Sequence, residues 1–164
     1  MGSPQHQPRR RLFPFGPADA ILELDKIAVE KYCMKGLILF TAGELPRNLF
    51  LLHSGRIRLY LPVDTQSSLP WQMIQPGGLL GLSETVSGKP HEFTARVELS
   101  AEILSFPREP FLEVISQYPV FWLSISSFIS DQVEAAYERV RVIRSHATGN
   151  RTGKIKKGLC LQSR

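Results

Sequence analysis

The chain has 164 residues, of which 43% are hydrophobic, and a formal net charge of +5. This length suits one compact domain with tails and is too short for two large domains. No apolar run approaches the roughly 18 residues that a membrane span needs, and the N-terminus lacks the apolar core of a secretory signal. We therefore expect no membrane segment and a cytoplasmic location.

The charge is unevenly distributed along the chain. Residues 12–138 hold all 15 acidic residues but only 9 of the 20 Lys and Arg, so this body carries −6. The other 11 cations lie in residues 1–11 and 139–164. Such basic ends either bind nucleic acid through its phosphates or are solvated, disordered tails. Cys33 and Cys160 stand in no metal-ligand spacing, so we expect two plain thiols.

The first predicted element is a helix over Pro17–Lys31. This segment opens with Pro-Ala-Asp, and Ile21, Leu24, Ile27 and Ala28 follow at intervals of three, three and one residues. That spacing places the apolar residues on one face of a short amphipathic helix. We expect this face to pack on the domain that follows.

The middle of the chain is predicted to be an antiparallel β-roll or sandwich. Short apolar runs alternate there with turn-forming residues, as in small all-β domains. The predicted strands are Leu37–Thr41, Leu49–His53, Ile57–Leu61, Trp71–Ile74, Glu92–Val97 and Glu102–Phe106. The predicted turns are Ala42–Glu44, Ser54–Gly55, Asp64–Ser68, Pro76–Gly78 and Ser87–Pro90.

Two more helices are predicted after the strands. Pro107 and Pro110 end the last strand, a short helix carries Phe111, Leu112 and Ile115, and a longer helix begins at Val120. In the longer helix, apolar residues recur every three or four positions, at Ile129, Val133, Ala136, Val140 and Ile143. This seam of about two heptads is typical of a parallel coiled-coil homodimer. The alternative is a stripe that packs against the chain's own roll.

Four segments follow from these patterns. We expect a disordered basic N-terminus over residues 1–16, the β-roll domain over 17–118, a dimerisation helix over 119–145 and a basic, disordered tail over 146–164. The expected fold class is therefore mainly β with flanking helices.

From Leu24 to Ile143 the chain resembles the sensor half of the Crp/Fnr family of bacterial transcription regulators. The residues that carry the resemblance are the runs GELPRNLFLLHSGRIRLYL and QPGGLLGL, with their paired glycine turns. The resemblance implies a double-stranded β-helix, or jelly roll, of the cyclic-nucleotide-binding type, dimerisation through the long helix and a C-terminal helix-turn-helix. After Arg144 no such module is recognisable. We therefore expect a truncated or frameshifted regulator that does not bind DNA specifically by itself.

The segment from Pro76 to Ala95 looks like the family's phosphate-binding turn without its charged residues. Family members that bind a cyclic nucleotide carry Gly-Glu at the start of this turn and an arginine before a small hydroxyl residue at its end. Here these positions read Gly81-Leu82 and Phe93-Thr94-Ala95. A cyclic phosphate needs a guanidinium partner and a ribose hydroxyl needs a carboxylate, so tight binding of cyclic AMP in the usual manner is not expected.

The turn still defines a candidate pocket for a cyclic nucleotide or another small effector. Its residues would be Gly81, Leu82, Ser83, Glu84, Phe93, Thr94 and Ala95, closed by Ala136 or Tyr137 of the long helix. Glu84, Lys89 or Arg96 could replace the missing charges after a change of register, although Arg96 falls on the opposite face of its strand. Alternatively, Leu82 and Phe93 fill the pocket, and the roll is a dimeric scaffold or partner-binding module.

The sequence does not indicate an enzyme. A cupin-like metalloenzyme would need several His and carboxylate ligands around one ion, whereas His53 and His91 are predicted to lie alone on separate strands. No nucleophile elbow, phosphate-binding Walker loop or dinucleotide fingerprint is present. We expect neither a metal nor a catalytic residue.

Overall fold

A computed structural model describes residue 13, residues 15–64 and residues 67–149. The chain divides between Ser124 and Ile125 into two compact units, and the first unit holds the described strands. No helix among the described residues is long and apolar enough to cross a membrane.

The N-terminal helix is shorter than predicted. Helix α1 spans Ala18–Ile27 and buries Ala20 and Leu24, but Ala28 is extended and strand β1 follows at Val29–Cys33. The predicted end at Lys31 is therefore wrong. The physical reason is sheet pairing, because all five residues of β1 lie opposite Ala101–Ser105 of the last strand and this pairing overrides the weak local helix preference.

Six antiparallel strands form the sheet and confirm the predicted jelly-roll class. Besides β1 they are β2 Ile38–Phe40, β3 Asn48–Pro62, β4 Ser68–Ile74, β5 Leu79–Leu80 and β6 Thr94–Pro107. The path runs β1-β6-β3-β4, with β2 paired to β6 and β5 paired to β3. The long strands β3 and β6 pair from Asn48–Pro107 to Tyr60–Thr94.

The predicted turn at Ser54–Gly55 is instead an irregularity inside one continuous strand. The register between β3 and β6 shifts three times between Leu52 and Ile57, as at a β-bulge. Gly55 has a φ of +90°, and a Cβ there would lie 2.4 Å from the carbonyl oxygen of Ser100. The two predicted strands on either side therefore merge into β3. Likewise, β6 joins two predicted strands, but it begins at Thr94 rather than Glu92.

Strand β6 leads into helix α3, Arg108–Ser116, and helix α4, Pro119–Gly149. Helix α4 continues four residues past the predicted end at 145; residues 150–164 of the predicted tail lie outside the described residues.

Two apolar clusters hold the first unit together. The interior of the roll contains buried side chains from the strands, including Phe40, Phe50, Leu52, Ile57, Ala95 and Val97. A second, aromatic cluster forms where Phe13 lies 5.7 Å from Phe106 and 5.5 Å from Phe121, measured between ring centroids. Phe13 is 2% exposed. Phe13 therefore belongs to the folded unit, although the sequence predicts a disordered segment over residues 1–16.

The bulge at Gly55 can be tested with a matched pair of alanine substitutions. Gly55 and Gly77 both have a φ of +90°, but only at Gly55 does the new Cβ meet other atoms, since nothing lies within 4 Å of it at Gly77. Gly77→Ala should lower the free energy of unfolding by about 1–2 kcal/mol through backbone strain. Gly55→Ala should lower it by about 1–3 kcal/mol more through overpacking. Urea denaturation measures both, and equal losses would contradict the close approach at Gly55.

Candidate ligand-binding site

The glycine-rich segment after β5 forms a short helix bounded by two left-handed glycines. Helix α2 spans Leu82–Ser87; Gly81 precedes it with a φ of 78° and Gly88 ends it with a φ of 71°. The backbone N–H of Gly88 donates to the carbonyl of Glu84 at 2.7 Å. Glycine is suited to both positions because other residues adopt positive φ at a cost. The sequence predicts a turn here but not the helix.

Gly81 is required for a second reason, which is the proximity of His91. A Cβ on Gly81 would lie 3.1 Å from Cε1 of His91 and 3.6 Å from the backbone oxygen of Asn48. His91 is 3% exposed and its ring stacks on Phe40, with centroids 3.9 Å apart. Its backbone N–H donates to the carbonyl of Glu44 at 2.9 Å. The α2 turn therefore packs against a buried histidine.

His91 was predicted to lie alone on a strand, and this prediction is wrong. The residue lies in the loop between α2 and β6. Burial lowers the pKa of His91 below its ordinary value of 6.5, and the carboxylates of Glu84 and Glu44 oppose this shift. Its Nδ1 atom is buried and has no hydrogen-bond partner among the described residues. The sequence held no periodic signal for this burial.

Leu82 occupies the first position of α2 and is 4% exposed. This is the position at which the family resemblance expects a glutamate. Ser83 beside it is exposed and Glu84 is half-buried. Thr85 is fully buried, and its hydroxyl has no partner among the described residues. Leu82 and Thr85 are therefore the two side chains that α2 buries.

Phe93 occupies the position of the expected arginine and lies against Trp71 of β4. Their rings are stacked, with centroids 5.9 Å apart and an interplanar angle of 23°. Phe93 is half-buried and Trp71 is 36% exposed. Trp71 was predicted only as part of a strand, since its partner lies 22 positions later in the sequence.

The remaining residues predicted for the pocket make contacts within the fold. The Thr94 hydroxyl accepts a hydrogen bond from the backbone N–H of Ala42 at 3.1 Å, and Ala95 is fully buried in the roll. Arg96 lies on the other face of β6, where its guanidinium carbon is 4.8 Å from the centroid of the Tyr60 ring. Phe93 lies in the bend before β6, so the expected change of face between Phe93 and Arg96 stays a prediction.

Ala136 and Tyr137 lie in the second unit, on α4. Ala136 is half-buried and Tyr137 is 67% exposed. Their role as the closing residues of the pocket stays a prediction.

Arg108 forms a hydrogen bond that the sequence does not predict. Its Nε donates to the carbonyl oxygen of Thr85 at 2.9 Å, which ties the start of α3 to α2. Only the fold brings these residues together. Among the described residues, no group of three or more His, Cys, Asp or Glu side chains could hold a metal ion.

The described strands form a small antiparallel roll that carries a short helix bounded by Gly81 and Gly88. Residues 30–118 match the sequence model of the cyclic nucleotide-binding domain, which is more than half of the chain. The chain therefore belongs to the cyclic nucleotide-binding domain family. No curated protein sequence matches it.

Solved structures show the same fold. The catabolite activator protein of Thermus thermophilus is 20% identical, with a TM-score of 0.68 over 82% of this chain and 63% of that one. The sensor domain of the regulator DNR from Pseudomonas aeruginosa is 15% identical, with a TM-score of 0.62 over 73% and 81%. The regulatory domain of Toxoplasma gondii PKA, crystallised with cAMP, is 13% identical, with a TM-score of 0.61 over 72% and 43%. These matches confirm the cyclic-nucleotide-binding type of fold that the resemblance implied.

The burial of His91 predicts a pH dependence of stability. Because its pKa is lowered on folding, the unfolded chain binds a proton that the folded chain does not. The contribution of neutral, buried His91 to the free energy of unfolding should be complete above about pH 6.5 and should decline as the pH falls below that value. His91→Phe, which keeps a ring on Phe40, should reduce this slope in urea denaturation. His53→Gln, at an exposed position on β3, is the control, and an unchanged slope in His91→Phe would contradict the assignment.

Proposed function

We propose that this chain is the effector-sensing domain of a Crp/Fnr-type transcription regulator in which the cyclic-nucleotide pocket is degenerate. The observation that carries the proposal is the Phe93–Trp71 stack, because the family resemblance expects the phosphate-binding arginine at position 93. Buried Leu82 supports it, because no carboxylate remains there for a ribose. The proposed role is regulatory rather than enzymatic.

The energetic consequence is weak binding of cyclic nucleotides. A hydrogen bond to a charged group contributes about 1.5–3 kcal/mol, and each 1.4 kcal/mol is about tenfold in affinity. Loss of the guanidinium alone therefore lowers affinity by about tenfold to a hundredfold. Stacked aromatic rings instead favour an effector with an apolar or flat aromatic surface. If the rings fill the pocket completely, the domain acts as a scaffold.

Restoring the guanidinium tests this proposal. Phe93→Arg should raise the affinity for cyclic AMP by at least about tenfold over the unmodified chain. The new side chain can still lie on the Trp71 ring, because arginine stacks on aromatic faces. Equilibrium dialysis with labelled cyclic AMP measures the ratio.

The control is Glu92→Arg, which introduces the same group one residue earlier at an exposed position and, by also removing a carboxylate, raises the net charge by 2 instead of 1. It should give a smaller gain, since only nonspecific attraction to the phosphate changes. An equal gain in the two variants, or none in Phe93→Arg, would show that position 93 does not face the phosphate.

We also propose that the domain dimerises through the seam on α4. Of the seam residues whose side chains are described, Val133 is 49% exposed, and Ile129 and Ala136 are half-buried. Val140 and Ile143 continue the same spacing, but their side chains lie outside the described residues. A partly exposed apolar stripe at heptad spacing is stabilised by pairing with a second copy.

A charge in this seam should prevent association. Val133→Asp would place a carboxylate in the paired interface, where it lacks a partner and costs several kcal/mol. We expect sedimentation equilibrium of the full chain to show a monomer for this variant and a dimer for the unmodified chain. Ala135→Asp adds the same charge at an exposed position outside the seam and should remain dimeric. A dimer in the Val133→Asp variant would show that the interface does not include this seam.

A further inference from the structure

A cleft of about 450 Å³ lies in the roll apart from the candidate pocket. Its lining includes Leu39, Phe40, Phe50, Glu44, Arg47 and His91. It shares no residue with the predicted pocket around Gly81 and Phe93. Its volume is in the range of small-molecule sites, about 300–1,000 Å³.

The inner wall of the cleft is aromatic and rigid. Phe40 and Phe50 are 8% and 6% exposed, and their rings are stacked with centroids 6.1 Å apart. His91 stacks on Phe40 at 3.9 Å, so the wall contains three rings. These side chains are fixed by core packing, so a ligand with an apolar body would bind here with little cost in side-chain ordering.

Among the polar residues of the cleft, Arg47 is a cation with no ion-pair partner in the described part of the chain. Arg47 is exposed, and its guanidinium forms no ion pair or hydrogen bond within the part of the chain that the structure describes. Glu44, three residues earlier, is already engaged, because its Oε2 accepts the backbone N–H of Thr41 at 2.9 Å. His91 contributes its ring to the wall, but its buried Nδ1 lies on the edge near Gly81, where a Cβ would be 3.9 Å from it. A guanidinium beside an apolar wall suits an anionic group attached to an apolar body.

We propose that this cleft is a second effector site, which binds a small carboxylic acid with an apolar body. The carboxylate pairs with the Arg47 guanidinium, and the body packs on Phe40, Phe50 and Leu39. His91 lines this cleft and also packs against Gly81. A ligand in the cleft therefore contacts a residue that packs against the α2 turn. This proposal does not rest on the degenerate pocket proposed above, because the two sites share no lining residue.

The test uses 3-phenylpropionate as the probe and the full, ¹⁵N-labelled chain. We expect saturable amide shift changes at millimolar concentrations, concentrated in residues 39–50 and at His91. Phenethylamine carries the same ring without the carboxylate and should not produce them. Arg47→Gln should weaken binding by about tenfold or more, because the charge-assisted pair is lost.

Two control variants locate the site. Arg56→Gln removes the same charge from an exposed position on β3 and should leave binding unchanged. Phe93→Ala should also leave it unchanged, which separates this site from the pocket at the α2 turn. No saturable binding of 3-phenylpropionate, equal binding of phenethylamine, or loss of binding in Phe93→Ala would each overturn the proposal.

Discussion

The antiparallel pairing of β3 with β6 is the constraint on which the rest of the structure depends. These strands have 15 and 14 residues, and each carries further strands along its length. The bulge at Gly55 lets two such long strands remain paired, since a bulge bends a strand and increases its twist. Strand β5 then pairs with β3 through Phe50–Leu80, and this pairing brings Gly81 against Asn48 and His91. The position of the α2 turn follows from that pairing.

In the candidate pocket, the glycines of the α2 turn agree with the family resemblance, whereas two side chains do not. The glycines that shape the α2 turn are present, because they are needed for the backbone whatever is bound. At the two positions where the family resemblance expects a glutamate and an arginine, the chain has Leu82, which is buried, and Phe93, which stacks on Trp71. The proposed loss of cyclic-nucleotide recognition therefore concerns side chains and not the fold, since one fold can carry different sites.

The sequence predicted the class of fold because alternating apolar runs and glycine turns are local signals. It predicted the start of α4 and most strand positions for the same reason. It did not predict that Ser54 and Gly55 lie inside a strand, because a glycine that marks a bulge looks like one that marks a turn. It also missed the burial of Phe13 and His91 and the contact between Arg108 and Thr85, since each depends on partners distant in the chain.

The most direct measurement of the central claim is a calorimetric titration of the unmodified chain with cyclic AMP and cyclic GMP. With Phe93 stacked on Trp71 and Leu82 buried, no saturable heat is expected at micromolar concentrations of either nucleotide. Micromolar binding would contradict the degenerate pocket and would require other residues to supply the missing charges.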